Sequence, residues 1–82
     1  MPDKKTLTLR QMKSGHKGKI VEIQCGPGMV NRLSALGIRP GKKITKVSSM
    51  FMRGPVTIQL GYTQLALGFG VANRIIVEIE ES

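Results

Sequence analysis

Two periodicities divide this chain. Over most of its length apolar residues alternate with polar ones, or fall in short runs broken by Gly and Pro. One stretch differs. Asn31–Gly41 reads Asn-Arg-Leu-Ser-Ala-Leu-Gly-Ile-Arg-Pro-Gly, and it continues from Val30 so that Val30, Leu33 and Leu36 stand at three-residue spacing. That spacing predicts a short helix with one apolar side, on which Leu33 and Leu36 face the core. A start near Gly26-Pro27-Gly28 suits Pro27, which a first helical turn tolerates. Gly37 follows the last apolar position, where a left-handed residue ends a helix without steric penalty. Ile38 then folds back onto the apolar side, and Pro40-Gly41 turns the chain into the next strand.

The flanking segments read as short strands. Thr6–Leu9 is β-prone, and the stretch from Met12 to Gly18 is turn-rich. Lys19–Cys25 places Val21, Ile23 and Cys25 on one face and Glu22 and Gln24 on the other. Lys42–Met50 is a strand in which Ile44 and Val47 fall on opposite faces, so a bulge or twist is expected there. Arg53-Gly54-Pro55 is a turn. Val56, Ile58 and Leu60 alternate with Thr57 and Gln59, and Gly61-Tyr62 connects them by a tight hairpin to Thr63–Leu67, with Leu65 and Leu67 inward. Residues 68–73 hold a helical turn at most, given their two glycines. Arg74–Glu80 closes the chain with Ile75, Val77 and Ile79 inward and Ile76, Glu78 and Glu80 outward. Five or so such strands around one helix predict a mainly β fold, a small antiparallel barrel with one short inserted α-helix. Closure removes most of the exposed edges.

At 82 residues the chain is one domain, 1–82. A domain of this size buries roughly 60% of its unfolded surface, which leaves no room for a deep catalytic cleft beside a core. Phe51, Tyr62 and Phe69 are the only aromatics, so the core is aliphatic. Cys25 is the only cysteine, which excludes an intrachain disulfide and a zinc site built on Cys within one chain. A reduced, cytoplasmic home is expected. No signal peptide and no run long enough to span a membrane are read.

Charge adds a second pattern. Thirteen Lys and Arg face five Asp and Glu, a formal +8. All the basic residues lie between Lys4 and Arg74, where the one acid is Glu22; Asp3, Glu78, Glu80 and Glu81 lie outside that span. Such a body attracts polyanions, anionic surfaces or an acidic protein face.

Catalytic and metal chemistry find little support. His16 sits in a turn beside Gly15 and Lys17, with no orienting partner for a general base and no co-ligands for a metal. Cys25 reads as a small inward residue. Met29, Met50 and Met52 are soft donors that suit Cu(I) better than ferrous iron, and read as adaptable fillers. Gly15-His16-Lys17-Gly18 and Gly26-Pro27-Gly28 lack the spacing and the Lys-Ser/Thr ending of a P-loop. No Ser-His-Asp or paired-carboxylate set is identifiable. No catalytic, cofactor-binding or metal-binding residue is assigned, and the chain is not expected to be an enzyme.

The order of its motifs resembles a known family. Thr6-Leu7 and Leu9, Gly15 and Gly18-Lys-Ile-Val-Glu-Ile23, Arg32-Leu33-Ser-Ala-Leu36-Gly37-Ile38-Arg-Pro40-Gly41, Gly54-Pro55-Val56, Leu65-Ala66-Leu67, and Ala72 with Ile75-Ile76-Val77 are similar to the FeoA family, over about residues 6–80. The Arg-Leu-x-x-Leu-Gly-Ile-x-Pro-Gly block is the most specific piece. The resemblance implies an SH3-like β-barrel and a cytosolic accessory of ferrous iron uptake that acts on the membrane transporter FeoB, whose cytosolic part is a GTPase. The same module forms the C-terminal domain of metal-dependent repressors of the diphtheria-toxin-repressor type. Gly68-Phe69-Gly70-Val71 departs from the polar helix formers that relatives often carry there.

An alternative is a basic RNA-binding module, because Lys17-Gly-Lys-Ile-Val-Glu-Ile23 resembles the opening of a KOW motif. No aromatic-rich face for stacking bases supports it, and a nucleic-acid partner is not expected. The expected partner-binding residues are instead Arg32, Arg39, Lys42 and Lys43, with Met29 and Met52 as exposed apolar contacts beside them. No membrane insertion is expected, and a weak homo-oligomer is compatible with the pattern.

Overall fold

In the computed structural model, residues 3–49 and 54–81 are described. They hold six strands: β1 (Asp3–Thr8), β2 (Lys17–Ile23), β3 (Lys43–Ser49), β4 (Val56–Leu60), β5 (Thr63–Leu67) and β6 (Ile75–Glu81). Helix α1 (Pro27–Ala35) lies between β2 and β3, and a single turn, α2 (Phe69–Ala72), precedes β6. All strand pairs are antiparallel, in the order β1-β6-β2-β3-β4-β5. The sheet wraps an aliphatic core that draws on every one of its inner strands, with Ile20, Ile44, Ile58, Ile75 and Val77 at its centre. This is the small antiparallel β fold with an inserted helix that the pattern predicts, and the SH3-like fold that the family resemblance implies.

Two bulges correct the expected strand faces. In β2, Ile20 pairs with Val77 and Glu22 with Ile76, so Val21 is an inserted residue without a partner of its own. The insertion resets the phase. Ile20 is fully buried and Ile23 half-buried, whereas Val21, expected inward, is 36% exposed. Cys25 lies beyond the strand and packs, half-buried, against the core. In β3, Lys46 pairs with Ile58 and Ser48 with Thr57, so Val47 is the inserted residue. The expected bulge is present. Its consequence is that the inward partner of Ile44 is Lys46, while Val47 faces out.

Lys46 is the one buried charged residue among those described. Its Nζ donates to the Arg10 carbonyl at 3.0 Å and also to the Met12 carbonyl. Those carbonyls close a 3-10 turn at Leu9–Gln11 that the strand pattern does not reveal. The turn starts with a reciprocal cap: the Gln11 amide donates to Thr8 Oγ1 at 3.2 Å, and the Thr8 amide to Gln11 Oε1 at 3.0 Å. Burial lowers the Lys46 pKa from the usual 10.5, and the Arg10 guanidinium lowers it further. The lysine thus ties the 3-10 turn to the middle of the sheet. Arg10 extends the tie to α2, lying 5.2 Å from the Phe69 ring centroid and donating to Asn73 Oδ1 at 3.3 Å.

Candidate functional site

The end of α1 is held in one geometry by its own backbone. Gly37 adopts φ +92°, its amide donates to the Ser34 carbonyl at 2.9 Å, and the Ile38 amide reaches back to Leu33 at 2.9 Å. These are the two bonds of a Schellman cap, and they draw Ile38 into full burial against Leu33. Ile38 and Leu33 are thus both part of the core. Leu36 is 49% exposed, not inward as its spacing predicts. Leu60 packs on the bare Gly37 backbone, where a Cβ would stand 2.7 Å from Leu60 Cδ2.

The chain then reverses through Pro40-Gly41. The Lys42 amide donates to the Arg39 carbonyl at 3.2 Å, with Gly41 at φ +95°, the arrangement of a type II turn with Pro at its second position. Two further bonds pin the turn to β2: Gly41 amide to Ile20 carbonyl at 2.7 Å, and Ile20 amide to Lys42 carbonyl at 2.8 Å. Arg39 and Lys42 thus stand at the two ends of a fixed turn.

Of the six expected contact residues, Arg32 lies in the last turn of α1, Arg39 and Lys42 flank the Pro40-Gly41 turn and Lys43 starts β3; all four are exposed. Arg32 lies one helical turn before Leu36 on the same side of α1. Its charge also suits the carbonyl end of the helix. Met29, expected exposed, is half-buried and packs against the core. Met52 lies outside the described residues. The exposed apolar residue of the patch is Leu36, which its helical spacing assigns to the core. The signal that could have identified it is the cap itself: once Gly37 is left-handed, Ile38 makes the apolar contact and Leu36 is free of it.

The remaining reactive groups are dispersed. His16 is exposed, and its carbonyl accepts the Lys46 amide at 2.9 Å. Among the described residues, no three of His, Cys, Asp and Glu come together as a metal site. Lys46 has a lowered pKa, but its amine is buried and committed to two carbonyls, so no substrate can reach it.

Residues 7–79 match the model of the FeoA domain. The chain belongs to the FeoA domain family. It is 33% identical over 69 residues to a Methanocaldococcus jannaschii protein provisionally named Fe(2+) transport protein A, a match covering 84% of this chain and 82% of that protein. It is also similar to a crystal structure described as iron uptake regulatory protein (FeoA), at 34% identity and TM-score 0.78, covering 89% of this chain and 95% of that one. The FeoA protein of Chlorobium tepidum shares the fold at TM-score 0.81 with 22% identity, over 89% of this chain and 70% of that one. A manganese-dependent transcriptional repressor in complex with manganese contains the same fold at TM-score 0.81 and 18% identity; this chain spans 92% of its own length and 36% of the repressor's. No helix among the described residues is long and apolar enough to cross a membrane.

Proposed function

We propose that this chain is a cytoplasmic, non-enzymatic accessory of ferrous iron transport. It acts by docking on an acidic face of the cytosolic GTPase part of a FeoB-type membrane transporter. The transport role rests on membership of the FeoA family and on the similarity to the archaeal transport protein. The docking role rests chiefly on one observation: Leu36 is half-exposed at a fixed helix cap, and Arg32, Arg39, Lys42 and Lys43, near it in the chain, are all exposed. Exposed charge speeds encounter with an acidic surface, and burial of the apolar centre slows dissociation. Met29 contributes only its exposed part, and Met52 belongs to the same expected surface.

Calorimetric titration with the transporter's cytosolic part tests the reading. Arg32→Glu/Arg39→Glu should leave the fold intact and weaken binding, and the loss should shrink as salt rises. Unchanged affinity in the folded double variant moves the interface elsewhere.

A further inference from the structure

A groove of about 830 Å³ opens on the sheet. It is lined by residues from β1, β6, β2, β3 and β4, which are neighbours in that order. Its charges are sorted. Lys17 and Lys19 of β2 and Lys43 of β3 line the middle, with His16 at the head of β2 beside them. Glu78 and Glu80 of β6 line the other side.

The lysine cluster is placed against its own stability. Lys19 and Lys43 are direct cross-strand partners, so two cations stand opposite each other on one face. Like charges in that position are destabilising. Glu78 is the cross-strand neighbour of Lys19 on β6, but its carboxylate is 3.7 Å from the Lys4 amine. Among the described residues Lys17, Lys19 and Lys43 make no ion pair. Lys17 and Lys43 have no acidic strand partner, so negative charge from outside the chain can offset them.

We propose that the groove binds an extended acidic peptide segment of a partner protein, with its carboxylates over Lys17, Lys19 and Lys43. The dimensions fit. Four strand spacings, from β1 to β4, span about 19 Å, the length of about six extended residues. The charge sorting argues against a dense polyanion, because a phosphate backbone crossing the groove would run over Glu78 and Glu80. No Phe, Tyr or Trp lines the groove to stack a base. A peptide meets both conditions, since it can carry its acids at one end alone and leave neutral residues over β6. This inference stands apart from the transporter reading, with which it shares only Lys43.

The test is an amide chemical-shift titration of the whole protein with a six-residue peptide of sequence Glu-Glu-Glu-Ser-Thr-Ser, acidic at one end alone, run beside hexauridylate and hexametaphosphate. The expected result is saturable shifts for the peptide, centred on Lys17, Lys19, Lys43 and Gln59 and weakened by salt, with weaker binding of the two phosphate probes at these positions. Lys17→Gln/Lys43→Gln should weaken the peptide by about fivefold or more, from the loss of two charge pairs. Removing Lys43 relieves its repulsion with Lys19, so the variant should be at least as stable as the parent. Arg32→Glu/Arg39→Glu should still bind the peptide at the groove, which separates this site from the helix cap. Three outcomes overturn the proposal: shifts centred on Arg32 and Arg39, unchanged peptide affinity in the folded glutamine variant, or tighter binding of either phosphate probe at the same residues.

Discussion

The Ile38 amide donates to the Leu33 carbonyl at 2.9 Å, a bond that closes over the C-cap residue Leu36 and leaves Ile38 and Leu33 inside. With Ile38 folded back, Leu33 is 3% exposed and Leu36, three residues on, is 49% exposed. The two leucines therefore have different roles. Leu33→Ala should cost about 2–4 kcal/mol, the usual loss for truncating a buried leucine. Leu36→Ala should cost under about 1 kcal/mol, as surface changes do. Urea unfolding of both variants checks this, and equal losses would place Leu36 in the core after all.

The cap should be sensitive to side-chain volume as well as to φ. Gly37 and Gly41 have nearly the same positive φ, +92° and +95°. A Cβ at Gly37 meets Leu60 at 2.7 Å, whereas nothing lies within 4 Å at Gly41. Alanine at either position carries the left-handed penalty of about 1–2 kcal/mol. Gly37→Ala must also displace Leu60, so it should be the more destabilising of the two in thermal or urea unfolding. Equal effects would mean that Leu60 yields freely.

Lys46 makes stability depend on pH at the alkaline side. Its folded pKa is below the usual 10.5 because burial, and then Arg10, disfavour the charged amine. Between the folded value and 10.5 the unfolded chain binds more protons than the folded one, so stability rises with pH across that window. Below the window both states are protonated and the folded form carries the full cost of the buried charge. Urea midpoints of the parent should therefore gain more on approaching pH 10.5 than those of Lys46→Met. The methionine variant should also be less stable near neutral pH by about 1–3 kcal/mol, because the Arg10 and Met12 carbonyls lose their donor. Parallel pH profiles would show that the Lys46 pKa is not displaced by folding.

The fold was legible where local signals agree. Alternation in β4, β5 and β6 places Val56, Ile58, Leu67, Ile75, Val77 and Ile79 in the core, as observed. The Gly37 stop and the Pro40-Gly41 turn are also readable from residue type alone. Reading fails where one inserted residue resets a period of two. Val21 and Val47 are both such insertions, and their β-branched side chains look like core until the partner strand is known. Lys46 was hidden for the same reason, since no pattern rule turns a lysine inward. The Thr8-Leu-Arg-Gln11 capping box was present in the sequence but opens a turn too short to carry helical periodicity. Of the proposed contact residues, the four cations are exposed as their charge alone predicts. The exposure of Leu36 was not legible, because helical spacing cannot anticipate that a residue beyond the cap takes the inner place.

The most direct measurement is the affinity of Leu36→Asp for the transporter's cytosolic GTPase part, by calorimetric titration at one fixed salt concentration. Leu36 is 49% exposed, so unfolding should shift by less than about 1 kcal/mol. Affinity should fall about tenfold or more, an apolar centre worth about 1.4 kcal/mol or more. A folded Leu36→Asp protein that binds as tightly as the parent would contradict the account.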